Sequence, residues 1–266
     1  MNKKEIQLLI DIVLKSGDIA LEYFNNINIE VQIKPDKSPV TEADKKISDL
    51  IKKTLENNFA DISIICEENK NRTISHDKFW LIDPIDGTKD FINKRNEFTI
   101  NIGLIKNNIP IFGILYAPKM PNSPLYYIDE NNKLICFEVK NNKFREIKNS
   151  KNIDNNIIKI VTSKRCKNED ILLYLSQNFP KISHDKIEIQ HMSSSFKFCE
   201  LLEEKADIFL NLEPTMEWDT AAGHALAINK KIIVLNLGKT LLKYNKELFK
   251  NTGFAAISRK IQEYYL

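Results

Sequence analysis

The stretch from residue 61 to residue 139 most constrains what this chain can fold into. Six apolar runs follow one another there: DISIIC (61–66), FWLID (79–83), EFTINIGLI (97–105), PIFGILYA (110–117), PLYYID (124–129) and KLICFEV (133–139). Turn residues separate them, among them Lys106-Asn107-Asn108 and Asn131-Asn132. β-branched and aromatic runs of this length, punctuated by Asn, Gly and Pro, read as strands. Sequential strands with short turns predict an antiparallel meander.

Two helical patterns precede it. In the first, Ile6, Leu9, Ile10, Val13, Leu14, Leu21 and Phe24 recur at three- and four-residue steps, one face of an amphipathic helix. A loop, IKPDKSPV, leads to a second helix starting at Thr41, with Ala43, Ile47, Leu50, Ile51 and Leu55 as its apolar face. Thr41 suits the N-cap, and Asp44 then falls in the first turn. Residues 140–157 are polar and rich in Asn and Lys. Beyond them strand and helix patterns alternate: IIKIVTS, ILLYLSQNF, KIEIQ, SSFKFCELLEE, ADIFLNL, TAAGHALAI and KIIVLN. Alternation of that kind marks an α/β layer. The expectation is an α/β protein with an α+β half over residues 1–145 and an α/β half over 146–266.

Composition excludes several classes. Hydrophobic residues are 42% and charged residues 28% of the 266, enough to bury a sizeable core. Lys plus Arg is 39 against 36 Asp plus Glu, and the signs are interspersed, so no basic stripe offers itself to nucleic acid. Cys66, Cys136, Cys166 and Cys199 lie far apart, and His76, His184, His191 and His224 complete no zinc spacing. They read as free thiols of a reducing compartment. No run reaches the ~18 apolar residues of a membrane span. The N-terminal run is interrupted by Glu5, Asp11 and Asp18, unlike a signal peptide, which points to the cytoplasm.

Three acidic groups stand out. In Asp83-Pro84-Ile85-Asp86-Gly87-Thr88 a strand delivers Asp83, and Pro84 stops the ladder because it has no N–H. Asp86 returns to the same side, and Gly87 allows a tight turn or a close ligand. Glu67-Glu68 follows the first strand of the meander. Asp219, in Glu217-Trp218-Asp219-Thr220-Ala221-Ala222-Gly223-His224, sits just before an Ala-rich helix, where a carboxylate serves as an N-cap or as a metal ligand. Crowded carboxylates repel, and a divalent cation relieves this. Oxygen-only ligands select hard ions such as Mg²⁺. The combination suggests two-metal chemistry on a phosphate ester.

The Asp83–Thr88 motif, with Trp80 upstream and Trp218-Asp219-Thr220-Ala221-Ala222-Gly223 downstream, resembles the paired signature of the inositol monophosphatase superfamily of lithium-sensitive, Mg²⁺-dependent phosphomonoesterases. Glu67-Glu68 and Ser38-Pro39-Val40-Thr41-Glu42-Ala43-Asp44 stand in the matching order, and the likeness covers nearly the whole chain. Lys37-Ser38-Pro39-Val40-Thr41, Gly87-Thr88-Lys89-Asp90-Phe91-Ile92, Phe98-Thr99-Ile100-Asn101-Ile102 and Ser194-Ser195-Phe196-Lys197-Phe198-Cys199 are most similar to its bacterial 3′(2′),5′-bisphosphate nucleotidase branch. Ser193, where that branch usually has Gly, and Asn229-Lys230-Lys231, in place of a Gly-rich turn, depart from the pattern and bear on substrate preference.

The resemblance implies a layered αβαβα sandwich with its metal site between the halves, Asp219 and the nucleotide-side residues coming from 146–266. It implies that Glu67, Asp83 and the Ile85 carbonyl hold one Mg²⁺, that Asp83, Asp86 and Asp219 hold a second, and that a third, looser ion binds near Glu67. Asp44 and Thr88 would form a hydrogen-bonded catalytic pair acting on water. Substrate would be met by Glu67, Ile85, Asp86, Gly87, Thr88 and Asp219, with Ser194, Ser195 and Lys197 at its second phosphate or nucleotide. The implied reaction is removal of the 3′-phosphate of adenosine 3′,5′-bisphosphate, a by-product of sulfate assimilation and phosphopantetheine transfer, to give AMP. The rivals are an inositol monophosphatase or sugar bisphosphatase, and a non-catalytic regulator that binds a phosphorylated metabolite. The implied partner is a small bisphosphorylated nucleotide, with at most peripheral contact at the inner face of the cytoplasmic membrane. Oligomeric state is left open.

Overall fold

The computed structural model describes residues 1–26, 30–34, 39–69, 73–74, 76–149 and 157–265. Lys37 and Ser38 of the second-helix motif, and 150–156 of the expected boundary, lie outside the described residues. Helix α1 (Lys3–Asn25) is opened by Asn2, whose side chain accepts the Glu5 N–H at 3.0 Å while the Glu5 carboxylate accepts the Asn2 N–H at 2.8 Å. Of its expected apolar face, Leu14 and Leu21 are only half-buried and the rest is buried. The segment expected as a loop contains a short antiparallel pair, β1 (Val31–Ile33) and β2 (Pro39–Thr41). The three residues of β1 are all exposed and give no alternation to read. Helix α2 (Glu42–Asn58) begins where expected, with Thr41 as its N-cap.

The meander forms, with one correction. β3 (Ser63–Cys66) pairs parallel, not antiparallel, with β4 (Lys78–Asp86), Cys66 opposite Ile82. A hairpin cannot join two strands that run in the same direction. After α3 (Thr88–Ile92), the strands β5 (Thr99–Lys106), β6 (Ile109–Tyr116), β7 (Pro124–Ile128) and β8 (Leu134–Glu138) add in antiparallel order. β9 (Lys143–Glu146) closes this seven-stranded sheet from within the polar stretch.

The second half contains β10 (Ile158–Ser163), α4 (Asn168–Asn178), β11 (Ile187–Met192), α5 (Phe196–Leu202), β12 (Ile208–Asn211), β13 (Thr215–Met216), α6 (Glu217–Asn229) and β14 (Ile233–Asn236). It ends with β15 (Lys250–Asn251), β16 (Phe254–Ile257) and α7 (Arg259–Tyr265). The five-stranded sheet has the order β11-β10-β12-β16-β14 and is mixed, because β16 runs antiparallel to both neighbours. Its faces separate by the two-residue period of a strand. Ala255 and Ile257 join Ile171, Leu175 and Ile261 of α4 and α7 in one cluster, while Phe254 and Ala256 join the larger core with α5 and α6. The layers are therefore α1 and α2, the seven-stranded sheet, α5 and α6, the five-stranded sheet, then α4 and α7: an αβαβα sandwich.

Helix α6 lies directly on β5 and β6. A Cβ on Gly103 would stand 2.6 Å from the Ala221 Cβ, and one on Gly113 2.3 Å from the Ala222 carbonyl oxygen. Small residues on both sides let the backbones approach, and that approach carries the start of α6 to the end of β4. On the same helix, His224 Nδ1 lies 3.0 Å from the Tyr244 hydroxyl. Burial, with the Lys246 charge adding to it, pushes the His224 imidazole down to about 3. An unfolded histidine, near 6.5, binds the proton that the folded one refuses, so stability is lost as pH falls through that window, by about 5 kcal/mol in all. His224→Gln keeps a donor for Tyr244 and cannot titrate. The parent's advantage over it in urea unfolding should shrink between pH 7 and pH 4; an advantage that stays constant would show that this imidazole does not set the slope.

Candidate active site

Strand β4 is buried along its length, and Asp83 near its end is 1% exposed. The ladder to β5 holds to Asp83–Asn101 and then shifts to Asp86–Thr99, a bulge that Pro84 enforces by lacking an N–H. Within the bulge the Ile85 N–H donates to Asp83 Oδ1 at 3.1 Å, and the Thr88 hydroxyl donates to the Ile85 carbonyl at 3.1 Å. Gly87 takes φ 95°, and a Cβ there would stand 2.8 Å from the Glu97 carbonyl oxygen. Glycine meets both demands at once.

Asp219 arrives from the other half. Helix α6 starts at Glu217, so Asp219 is inside its first turn rather than just before the helix, and its Oδ2 accepts the Met216 N–H at 2.8 Å. The earlier start is stabilised at Glu217, which is fully buried and accepts the Asn245 and Lys246 N–H groups at 2.8 and 2.9 Å and pairs with the Lys246 ammonium at 2.6 Å. Asp86 Oδ2 accepts from the Ser195 N–H, from the Ser195 hydroxyl at 2.6 Å and from Asn101 Nδ2 at 3.3 Å. Glu67 is fixed by its N–H on the Ile82 carbonyl at 3.1 Å. Its carboxylate and that of Glu68 each lie 2.8 Å from the Lys34 ammonium. Nothing in the sequence spacing flagged Lys34, because its partners lie 33 and 34 residues further along the chain.

Asp44 forms the reciprocal cap expected of it: its Oδ2 accepts the Thr41 N–H at 2.7 Å and the Thr41 hydroxyl at 2.5 Å. It does not bond Thr88, whose hydroxyl is given to Ile85. The N-cap geometry turns the Asp44 carboxylate back along its own helix. Asp44 Oδ1 is buried without a hydrogen-bond partner. Burial pushes the Asp44 carboxyl up to about 7; the Thr41 hydrogen bonds oppose this, and the Glu68 and Glu67 charges add to it.

The acids crowd one another. Asp83 is held well above the usual carboxylate range by burial first, then by Glu67, Asp86, Asp219 and Asp44. Asp219 is raised by burial and by Asp86 and Glu67. Asp86 is raised by burial, with Ser195 and the Lys197 charge opposing. Among the described residues no three of them already stand as ligands of a single ion; Asp83, Asp86 and Asp219 accept N–H or hydroxyl groups, and Asp83 and Asp219 also share a hydrogen bond. The donors are all oxygen, their negative charge exceeds what Lys34 and Lys197 neutralise, and one buried oxygen of Asp44 is orphaned. That set fits a hard divalent cation.

Two residues expected on the nucleotide side are turned inward. Lys197 is 6% exposed and donates to the carbonyls of Ser194 at 2.6 Å and Met192 at 3.2 Å. Burial pushes its ammonium down to about 8, against the pull of Asp86, Glu97 and Asp219. Ser195 is spent on Asp86, while the Ser194 hydroxyl accepts the Phe196 N–H at 3.3 Å. Asn101 joins the site unforeseen; its only sequence signal was its place in Phe98–Ile102.

The chain matches the inositol monophosphatase family over residues 1–244. It is 35% identical over 230 residues to the 3′(2′),5′-bisphosphate nucleotidase CysQ of Buchnera aphidicola (subsp. Acyrthosiphon pisum, strain APS), covering 85% of this chain and 82% of that one. Its fold superposes on the crystal structure of CysQ from Bacteroides thetaiotaomicron, described as a bacterial member of that family, with a TM-score of 0.79 and 30% identity over 97% and 98% of the two chains. An IMPase/NADP phosphatase complexed with Mg²⁺ and phosphate shares the fold at a TM-score of 0.76 and 17% identity, over 98% of this chain and 93% of that one. The chain belongs to the inositol monophosphatase family. No helix among the described residues is long and apolar enough to cross a membrane.

Proposed function

We propose that this chain is a Mg²⁺-dependent phosphomonoesterase that removes the 3′-phosphate of adenosine 3′,5′-bisphosphate, giving AMP and phosphate. The observation that carries the reading is the convergence of Asp83, Asp86 and Asp219 from the two halves beside Glu67 and the orphaned Asp44 oxygen. The named bisphosphate nucleotidase relatives, alike over most of their length, supply the substrate class. Glu67, Asp83 and the Ile85 carbonyl would hold one Mg²⁺, Asp83, Asp86 and Asp219 a second, and a third would lie near Glu67, where Lys34 competes with it. Bound there, Mg²⁺ acidifies water and neutralises phosphate charge.

The residues do the rest. Asp44 accepts the proton of the attacking water at Oδ1, the oxygen that nothing else in the described protein uses. The water oxygen bonds to phosphorus as the bond to the ribose 3′-oxygen breaks, and that oxygen takes a proton from solvent water to leave as the hydroxyl of AMP. Thr88 fixes the Ile85 carbonyl rather than Asp44, and a carbonyl oxygen has a second lone pair for a cation. The Gly87 and Thr88 N–H groups cradle the phosphate. Ser194 remains the nucleotide-side contact of this reading. The division at 145/146 is kept as a proposal, supported by the end of the seven-stranded sheet at β9. The four buried free thiols fit a reducing compartment, so the cytoplasm is the proposed location.

Phosphate release from adenosine 3′,5′-bisphosphate, inositol 1-phosphate and fructose 1,6-bisphosphate, each with and without Mg²⁺, tests the reading. The nucleotide should be favoured by at least about tenfold in kcat/KM, the scale at which differently built pockets discriminate, and chelation should abolish release from all three. Preference for either sugar substrate would replace the nucleotide assignment, and release without Mg²⁺ would remove the metal reading.

A further inference from the structure

The turn between β11 and α5 is held more firmly than a surface turn requires. Ser194 adopts φ 55°, a left-handed conformation that costs a residue with a Cβ and persists only where its surroundings impose it. Three backbone groups are gripped. The Ser193 N–H donates to Glu97 Oε2 at 2.8 Å, and Glu97 is itself paired with Lys164 at 2.9 Å. The Ser194 and Met192 carbonyls accept from the buried Lys197 ammonium at 2.6 and 3.2 Å.

What this grip delivers is Ser195. Its N–H and its hydroxyl both converge on Asp86 Oδ2, and its Oγ also lies 2.5 Å from the Asp219 carbonyl oxygen and accepts Asn101 Nδ2 at 3.0 Å. A hydroxyl has one proton, so it serves Asp86 or the Asp219 carbonyl, while the N–H stays on Asp86 throughout. Ser195 is 3% exposed and its donors are spent on this network. We propose that Ser195 is a positioning residue for Asp86, held in place by Glu97 and Lys197, and is not a contact to the nucleotide. The inference rests on Asp86 being a Mg²⁺ ligand, as in the function proposed above. Groups that orient a ligand from behind typically change metal affinity ten- to a hundredfold when removed.

Ser195→Ala in the full chain separates the alternatives. Mg²⁺ binding is measured by calorimetry without nucleotide, and KM for adenosine 3′,5′-bisphosphate at saturating Mg²⁺; unfolding without Mg²⁺ checks that the variant is folded. The expected result is Mg²⁺ binding weaker by about tenfold or more, with KM within about twofold of the parent. Unchanged Mg²⁺ affinity overturns the proposal, and if KM rises at the same time the hydroxyl meets the nucleotide instead. A parent that binds no Mg²⁺ removes the metal reading of Asp86 and this inference with it, an outcome visible before any variant is compared.

Discussion

Asp83→Asn should lower kcat by at least about a thousandfold and leave the protein folded. Asp83 is the one carboxylate in both proposed metal sets. Losing several kcal/mol of charge stabilisation corresponds to about three decades in rate. The fold tolerates the change because an amide oxygen can still accept the Ile85 N–H that now reaches Oδ1. In the metal-free protein the substitution should stabilise. Burial and the charges of Glu67, Asp86, Asp219 and Asp44 raise the folded-state pKa of Asp83 above its unfolded value. The stability tied to that group is then fully present below about pH 4, the unfolded value, and is lost as pH rises. The advantage of Asp83→Asn over the parent should therefore grow from pH 5 to pH 8 in EDTA-treated samples followed by urea unfolding. Near-normal turnover would sink the assignment of Asp83, and an advantage that shrinks with pH would show that its charge is not buried at a cost.

Gly113→Ala should be strongly damaging for a change of a single methyl group. The new Cβ would stand 2.3 Å from the Ala222 carbonyl oxygen and 2.9 Å from its carbonyl carbon. Those are backbone atoms of a helix and cannot step aside, so α6 must lift off the sheet or β6 must buckle. Overpacking of that kind costs roughly 1–3 kcal/mol, and more where backbone must move. Turnover should fall as well, because α6 carries Asp219 to the site. Gly238 is the comparison, since a Cβ there meets only the Asn236 side-chain oxygen, at 3.3 Å; Gly238→Ala should stay within about 0.5 kcal/mol. Thermal and urea unfolding of the two variants, with kcat, test this. Equal stability of both would mean that α6 and β6 are not locked together by their small residues.

The start of α2, the apolar face of α1 and most strands were legible because their causes are local. Thr41 and Asp44 form a cap within three residues, and Ile6, Leu9, Ile10 and Val13 mark a helical face whatever it packs on. The missed elements lack such signals. β16 is four residues long, β1 and β2 three each, and none shows a period against its flanks. The direction in which β3 meets β4 depends on a partner outside any sequence window.

The acids of the site divide along the same line. Asp83-Pro84-Ile85-Asp86-Gly87-Thr88 and the Trp218–Gly223 run offered the proposed oxygen ligands by residue type and order, which the chain carries whether folded or not. Where each side chain points was decided by tertiary contacts. Lys197 was expected to face a phosphate from a helix surface; in the folded protein α5 is packed between layers, and its ammonium satisfies two carbonyls of the preceding turn. Ser195 turns to Asp86, Thr88 to Ile85, and Lys34 reaches Glu67 across 33 residues of chain. A sequence specifies which groups can donate, accept or carry charge, because that is covalent chemistry. Which partner each group takes is settled only when burial removes water as the alternative and leaves one neighbour within reach.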